Sequence, residues 1–227
     1  MKKLLLLLIL FTSIVTTAQS LSADEKKIID HVNKNLAISI DLLKDIVNIN
    51  SGTLNTEGVK AVGNRLKNEF DKIGFTTEWI NLPDSLKRAG HLVAYKKGSK
   101  GKKLLLIGHL DTVFEPDMPA NPFKMLDKNT ATGQGVNDMK GGDIIILAAL
   151  QALHEAGVLN DVSVTVYFTG DEENAGSPRS ISRGDFIARG KEHDVALAFE
   201  TAQGMNTVAI GRRGIGEWKL NVYGNQA

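Results

Sequence analysis

Two early segments of the chain, 24–47 and 56–73, place apolar residues three or four positions apart with charged residues between them. This spacing predicts two amphipathic helices, each with one buried face. Gly74 follows the second segment at the position where a glycine commonly ends a helix. A third helix is predicted over 139–156, where Gly157 supplies the same stop signal.

Short apolar or alternating segments lie between and after these helices and predict strands. Aliphatic residues dominate three of them, which is typical of strands buried on both faces: 103–108, 162–169 and 195–199. Shorter strands are predicted at 76–82, 91–95 and 207–210, and the alternation over 217–223 predicts a half-exposed antiparallel strand. Because strands alternate with helices, the predicted fold class is α/β, a mostly parallel sheet with helices on both faces.

The N-terminus has the pattern of an export signal. Lys2 and Lys3 precede an apolar run over 4–15, and Thr16 and Ala18 are small residues at the positions that favour cleavage before Gln19. The run is shorter than the roughly 20 residues that span a bilayer. We therefore expect 1–18 to be a signal peptide and the mature protein to be secreted or periplasmic, with no membrane partner. The alternative is a buried N-terminal helix.

The composition limits which partners and which kinds of metal site the chain can have. Apolar residues make up 42% of the 227 residues and charged residues 23%, which is ordinary for a globular protein. The 27 Lys and Arg nearly balance the 26 Asp and Glu, so the charge gives no reason to expect a nucleic-acid partner. The chain has no Cys, which excludes disulfides and thiolate metal sites. Any metal must be held by nitrogen and oxygen.

Histidine and carboxylates follow the predicted strands at the ends where α/β sheets bind ligands. His109 and Asp111 end the first buried strand, Glu172 and Glu173 follow the second, and Glu200 follows the third. Asp138 precedes the third helix. Each residue alone has an ordinary explanation: a capping His, a solvated Glu pair, or a helix N-cap Asp. Their common placement favours a shared site instead.

So many carboxylates around one His need a positive counterion, and a divalent metal is the simplest. Zinc, cobalt or manganese suits these ligands. Two metals would need a carboxylate that bridges them, and Asp138 suits this role because it lies on a loop and not at a strand end. Asp111 can accept the second imidazole N–H of His109. One residue of the Glu172–Glu173 pair can bind metal while the other serves as a general base. The other imidazoles are interpreted as structural (His31, His91, His154) or exposed (His193), and Tyr167 and Trp218 as packing residues.

Four motifs in order, GHLDTV, GQGVNDMKGG, TGDEENAGS and AFETA, resemble the site motifs of the M20 family of co-catalytic zinc hydrolases. The resemblance implies two zinc ions. It assigns His109 and Glu200 to the first metal, Glu173 to the second, Asp138 as the bridge, Glu172 as the general base and Asp111 as the catalytic partner behind His109. It also implies a cis peptide between Asp138 and Met139, and a close approach of the loop at Gly141 and Gly142.

The resemblance implies an exported hydrolase that cleaves an amide bond in a peptide or N-acyl amino acid, through a metal-bound water and a Glu base. Glu at position 200 favours carboxypeptidase-like chemistry. The alternatives are an aminopeptidase or dipeptidase of the same family, and a non-catalytic peptide-binding module.

The resemblance also implies a domain organisation. It assigns 19–211 to the first segment of a catalytic domain and 212–227 to the start of a lid domain, through which such enzymes can form homodimers. The family's lid His and its last metal-binding His would follow Ala227. We therefore expect the 227-residue chain to behave as an inactive fragment that holds about one zinc.

Overall fold

The computed structural model describes residues 20–202, 204, 207–211, 214, 216, 218 and 220–224. The predicted signal peptide and the cleavage site before Gln19 lie outside these residues. The helices are α1 (Ala23–Val47), α2 (Thr56–Lys72), α3 (Gly141–Glu155), α4 (Arg179–Ser182) and α5 (Gly184–Gly190). The strands are β1 (Thr76–Ile80), β2 (His91–Lys96), β3 (Lys100–His109), β4 (Lys124–Met125), β5 (Ala131–Thr132), β6 (Val162–Thr169) and β7 (Val195–Ala198). No helix in this part of the chain has the length and apolar character needed to cross a bilayer.

Five strands form the main sheet in the order β1-β2-β6-β3-β7. β3 pairs in parallel with β6 and with β7, whereas β2 is antiparallel to both of its neighbours, β1 and β6. Four of the five strands therefore run in one direction, and the predicted α/β class is confirmed. β4 and β5 form a separate two-stranded hairpin.

Alternate residues of the strands face two hydrophobic layers, as the period of two in a strand requires. On one face, Leu106, Val166 and Phe168 pack with the buried sides of α1, α2 and α3. On the other face, Leu105 and Tyr167 pack with Phe186 of α5. Helices thus cover both faces of the sheet. The three long helices on one face hold the strand ends of the site in place.

α1 is only partly packed, which differs from the prediction of a continuously buried face. Its C-terminal half contributes Leu42 and Ile46 to the core, but Ile29, Val32 and Leu36 are 40–55% exposed. The helix has 25 residues against the 15 of α3, its main helical neighbour. At 1.5 Å per residue, α1 is about 15 Å longer than α3.

The last predicted strands also differ from the structure. β7 was expected to be buried, but Val195 and Leu197 are 37% and 43% exposed because β7 is the edge strand and pairs only with β3 among the described residues. Residues 207–210 form no strand, and neither do the described residues of 217–223. Trp218 is 96% exposed, so its interpretation as a packing residue is wrong. A short strand needs a partner and an apolar surface to be stable, and the described residues provide neither here.

Candidate metal centre

The carboxyl ends of β3, β6 and β7, together called the site rim below, bring the predicted residues to one edge of the sheet. His109 lies in register with Thr169 on the parallel strand β6, so the Glu172–Glu173 loop begins beside it. On the other side of β3, the backbone N–H of Phe199 donates to the carbonyl of Ile107 at 3.2 Å. This bond extends the β7 pairing to the residue before Glu200.

Asp138 reaches the site rim from a distorted turn over Val136–Lys140. Its backbone is extended, with φ −122° and ψ 95°, and the peptide to Met139 is cis, as the resemblance predicts. The third helix therefore begins at Gly141, two residues later than its sequence pattern indicates. A Cβ at Gly142 would lie 2.1 Å from the Phe199 carbonyl oxygen, so only glycine lets this helix approach the end of β7.

The structure brings all the predicted metal ligands together. His109 Nε2 lies 3.0 Å from Asp138 Oδ1 and 3.6 Å from Glu200 Oε1. Ligand atoms of these three residues lie within 4.8 Å of one another, and so do those of a second group, His109, Glu172 and Glu173. An imidazole nitrogen surrounded by carboxylate oxygens is a donor set that suits zinc and similar divalent cations. The residues present therefore fit the predicted metal.

Asp111 lies beneath this cluster and is fully buried. Its two carboxylate oxygens accept hydrogen bonds from the backbone N–H groups of Glu172 and Glu173, at 3.0 and 3.1 Å. His109 Nδ1 donates to the Asp111 carbonyl at 3.0 Å, with the carboxylate 3.5 Å away. This contact leaves Nε2 facing Asp138. Asp111 thus orients the imidazole through its backbone carbonyl, where the sequence predicted the carboxylate, and it orients the backbone of both glutamates through its carboxylate.

The charges of the site favour a bound cation. Burial alone would lower the pKa of His109, but the hydrogen bond and charge of Asp111, with the charges of Asp143 and Glu200, raise it to about 10. Burial, together with the charge of Asp138, raises the pKa of Glu173 to about 7. Below about pH 7, each residue thus holds a proton where a metal ion would otherwise supply positive charge. A divalent metal would displace both protons.

Lys140 and Asp143 are buried charged groups next to the site that the sequence patterns did not single out. Lys140 Nζ donates to the carbonyls of Ile46 and Ile49, each at 2.9 Å, at the C-terminal end of α1. Burial lowers the pKa of Lys140 to about 8 and raises that of Asp143 well above its usual value. The lysine ties the Asp138 turn to α1.

His91 shows why the strand direction matters. Its position at a strand start suggested the opposite end of the sheet from the site. Because β2 is antiparallel, that start lies at the site rim, where His91 is fully buried and contacts Gly170. His193, expected to be exposed, is half-buried and bonds to Thr165 at 2.9 Å, far from the site rim.

Thr53 is a site residue that sequence reasoning missed. It lies in the loop between α1 and α2, and its hydroxyl donates to Asp111 Oδ2 at 2.6 Å in a fully buried contact. Nothing in the local sequence marks this role, because the loop meets Asp111 only through the long-range pairing of 52 with 112.

We expect Thr53→Val, which keeps the side-chain volume, to lower the free energy of unfolding by about 1–3 kcal/mol, since the buried Oδ2 of Asp111 loses one of its two donors and keeps only the Glu173 N–H. Zinc affinity should fall about 10–100-fold, because the partner that orients His109 is loosened. Thr165→Val is the matched control, since the Thr165 hydroxyl contacts His193 from the middle of β6, away from the site rim. Equal zinc affinities in the two variants would contradict this role.

The fold and the site define an α/β domain with a candidate metal centre at the carboxyl ends of its strands. The family model for peptidase family M20/M25/M40 matches residues 105–217. Carboxypeptidase G2 from Pseudomonas sp. (strain RS-16) is 36% identical over 188 residues, covering 82% of this chain and 44% of the relative. With this match, the predicted family is confirmed: the chain belongs to the M20 peptidase family.

Solved structures agree on the fold. The dipeptidase Dug1p from Saccharomyces cerevisiae matches with a TM-score of 0.60 at 16% identity, covering 76% of this chain and 40% of that one. The M20 family metallo-carboxypeptidase Sso-CP2 from Sulfolobus solfataricus matches with a TM-score of 0.56 at 21% identity, covering 71% and 37%. The chain spans about half the length of the curated relatives it matches.

Proposed function

We propose that the protein is an exported, metal-dependent hydrolase that cleaves the amide bond of a peptide or N-acyl amino acid next to a free terminal carboxylate. The observation that carries the proposal is the convergence of one imidazole and four carboxylates at the site rim. His109 and Glu172 belong to the same close group, so a base and a metal ligand serve one reaction site. The 36% identity to a carboxypeptidase supports this subclass.

His109, Asp138 and Glu200 would hold the first metal, and Asp138 with Glu173 would contribute to the second. When bound, zinc, or cobalt or manganese in its place, polarises a carbonyl and makes water more acidic. Among the described residues, the second set has only carboxylates apart from His109, which already serves the first. We therefore propose that this chain holds one zinc tightly and a second one weakly.

Glu172 is proposed as the general base. Its side chain is exposed at the site rim, whereas Glu173 is half-buried, so Glu172 is the member of the pair that substrate and water can reach. Glu172 would take a proton from the attacking water as the new C–O bond forms. It would then pass that proton to the amine nitrogen as the C–N bond breaks.

A set of blocked substrates tests the proposal. The zinc-loaded protein, in its longest natural form, is given an acyl-glutamate, the same compound with its carboxyl group amidated, and a free dipeptide. We expect hydrolysis of the acyl-glutamate and none of the amidated compound. Cleavage that depends on a free amine would favour the aminopeptidase or dipeptidase alternative. No turnover of any compound despite bound metal would favour a peptide-binding module.

Export is proposed from the N-terminal pattern, since a basic start, an apolar run and small residues precede Gln19. Mass spectrometry of the protein recovered outside the cytoplasm should find Gln19 as its first residue. An intact Met1 on that protein would contradict the proposed cleavage.

Zinc binding should release protons in a pH-dependent way. At pH 8, His109, whose pKa is raised to about 10, must lose its proton to bind zinc, while Glu173, with a pKa of about 7, is already ionised. Near pH 6 both residues are protonated before zinc binds. When both metal sites are filled with zinc, we expect release of about one proton in total at pH 8 and about two at pH 6, so binding weakens more steeply in acid.

Calorimetry in buffers of different ionisation enthalpy measures this proton release. In Glu173→Gln the value at pH 6 should return to about one. Glu155→Gln, on the exposed end of α3, is the control and should keep the wild-type values. A Glu173→Gln variant that still releases two protons at pH 6 would show that another group takes up the second proton.

A further inference from the structure

A second buried carboxylate holds the loop that carries Glu172 and Glu173. Asp171 directly precedes the pair and is fully buried. Its Oδ2 accepts hydrogen bonds from Ser182 Oγ at 2.5 Å and from the backbone N–H of Gly176 at 2.8 Å. Its Oδ1 accepts a hydrogen bond from Arg183 Nη1, and Nη2 of the same guanidinium donates to the Asp171 carbonyl at 2.9 Å.

His91 joins this arrangement from β2. Its Nε2–H donates to the carbonyl of Ser182 at 2.9 Å, and its Nδ1 accepts from the backbone N–H of Gly170 at 3.2 Å. The two bonds require the neutral imidazole protonated on Nε2. Burial lowers the pKa of His91, which is consistent with that form. The four residues Asp171, Ser182, Arg183 and His91 are called the Asp171 cluster below.

The Asp171 cluster bonds the glutamate loop at residues 170, 171 and 176. Asp111 bonds the same loop at the N–H groups of Glu172 and Glu173. The backbone of the two glutamates is thus held between two buried carboxylates. The contact of Asp111 with His109 explains its buried position. For the Asp171 cluster, no side-chain contact with a proposed metal ligand is found among the described residues.

Two roles are compatible with a buried Asp–Arg pair. The cluster could simply attach α4 and α5 to the sheet, in which case its loss would lower stability and leave the site chemistry unchanged. It could instead set the position of the glutamate side chains. The number of bonds directed to the loop backbone favours the second role, since attachment of the helices requires no contact to Gly170 or Gly176.

We propose that Asp171 is a positioning residue that fixes Glu172 and Glu173 in place at the metal centre. Ser182 and Arg183 hold its carboxylate directly, and His91 supports them through the Ser182 carbonyl and the Gly170 N–H. This inference rests on the proposed function of those two glutamates. Arg183 is the residue to change first, because its side chain is 18% exposed and Asp171 keeps its bonds to Ser182 and Gly176 when the guanidinium is removed.

The central experiment compares Arg183→Met with Arg189→Met. Arg189, six residues along on α5, also binds two carboxylates, Asp185 and Glu78, but does not contact the glutamate loop. Both variants should lose some thermal stability. In the longest natural form, only Arg183→Met should lower kcat, by about 10–100-fold with KM within about threefold. Only Arg183→Met should change the visible spectrum of the protein with Co²⁺ at both metal sites, because Glu173 is proposed to bind the second metal.

A conservative exchange at His91 provides the rescue. Gln at position 91 can donate and accept as the imidazole does, so His91→Gln should retain kcat and the Co²⁺ spectrum, whereas His91→Leu should resemble Arg183→Met. The proposal is overturned if Arg183→Met and Arg189→Met have equal kcat values and both keep the wild-type Co²⁺ spectrum. The Asp171 cluster would then have only a structural role. If the wild type in its longest natural form turns over no substrate, the proposed function fails, but the Co²⁺ spectra still decide whether the cluster positions the glutamates.

Discussion

Glu172→Gln is expected to lower kcat by about 10²–10⁴-fold while the protein keeps its zinc. Glutamine has the shape of glutamate but cannot take a proton from water at neutral pH, so the chemical step loses its base. The backbone N–H of residue 172 still donates to Asp111, which preserves the loop. Steady-state kinetics of the longest natural form, with zinc measured on the same samples, checks both parts.

Glu173→Gln is the matched comparison, because it changes the neighbouring carboxylate in the same loop. We expect this variant to weaken zinc binding and to shift its pH dependence, since Glu173 is the half-buried member whose pKa burial raises. If Glu172→Gln loses zinc and Glu173→Gln keeps it, the assignment of base and ligand within the pair is reversed.

His109→Ala should weaken zinc binding by more than about 100-fold. Even the loss of a residue that only hydrogen-bonds to a metal ligand lowers metal affinity about 10–100-fold. His109 belongs to both close groups of candidate ligands, and among the described residues it is the imidazole that faces Asp138 and Glu200. Its loss leaves only carboxylates, which hold zinc poorly without a nitrogen ligand.

Competition with a chromophoric chelator measures this loss, and circular dichroism shows whether the variant folds. Folding should persist, because Asp111 keeps the hydrogen bonds from Thr53 and from the loop N–H groups. His154→Ala, on the exposed side of α3, is the control and should bind zinc as the wild type does. A His109→Ala variant with unchanged affinity would show that zinc binds elsewhere.

Much of the fold could be predicted because its signals are local. Apolar spacing identified α1 and α2 to within one residue at their ends, and Gly74 adopts the positive φ of 75° expected at a helix end. A helix depends on contacts between residues three and four apart, which are visible in the sequence. The parallel strands β3 and β6 were recognisable for a similar reason, since strands buried on both faces are continuously apolar.

The site residues were predictable because parallel strands end at a common edge. His109 ends a strand, and Glu173 and Glu200 each follow one, so their convergence needed only the strand directions to agree. Asp138 does not follow a strand; its position just before the third helix and its carboxylate suggested a bridge between two metals, and the family motif implies the same role. The structure places all these residues together, while their individual roles remain predictions.

The sequence by itself thus determined the class of fold, the long helices and the residues that meet at the site rim. Only the tertiary structure decided that β2 runs antiparallel, that β7 is an exposed edge, and that Thr53 and the Asp171 cluster support the site. The physical reason is the separation along the chain of the residues that interact. Strand direction, edge position and the partners of a buried carboxylate depend on residues distant in sequence, 58 positions from Thr53 to Asp111 and 91 from His91 to Ser182. No local spacing carries that information.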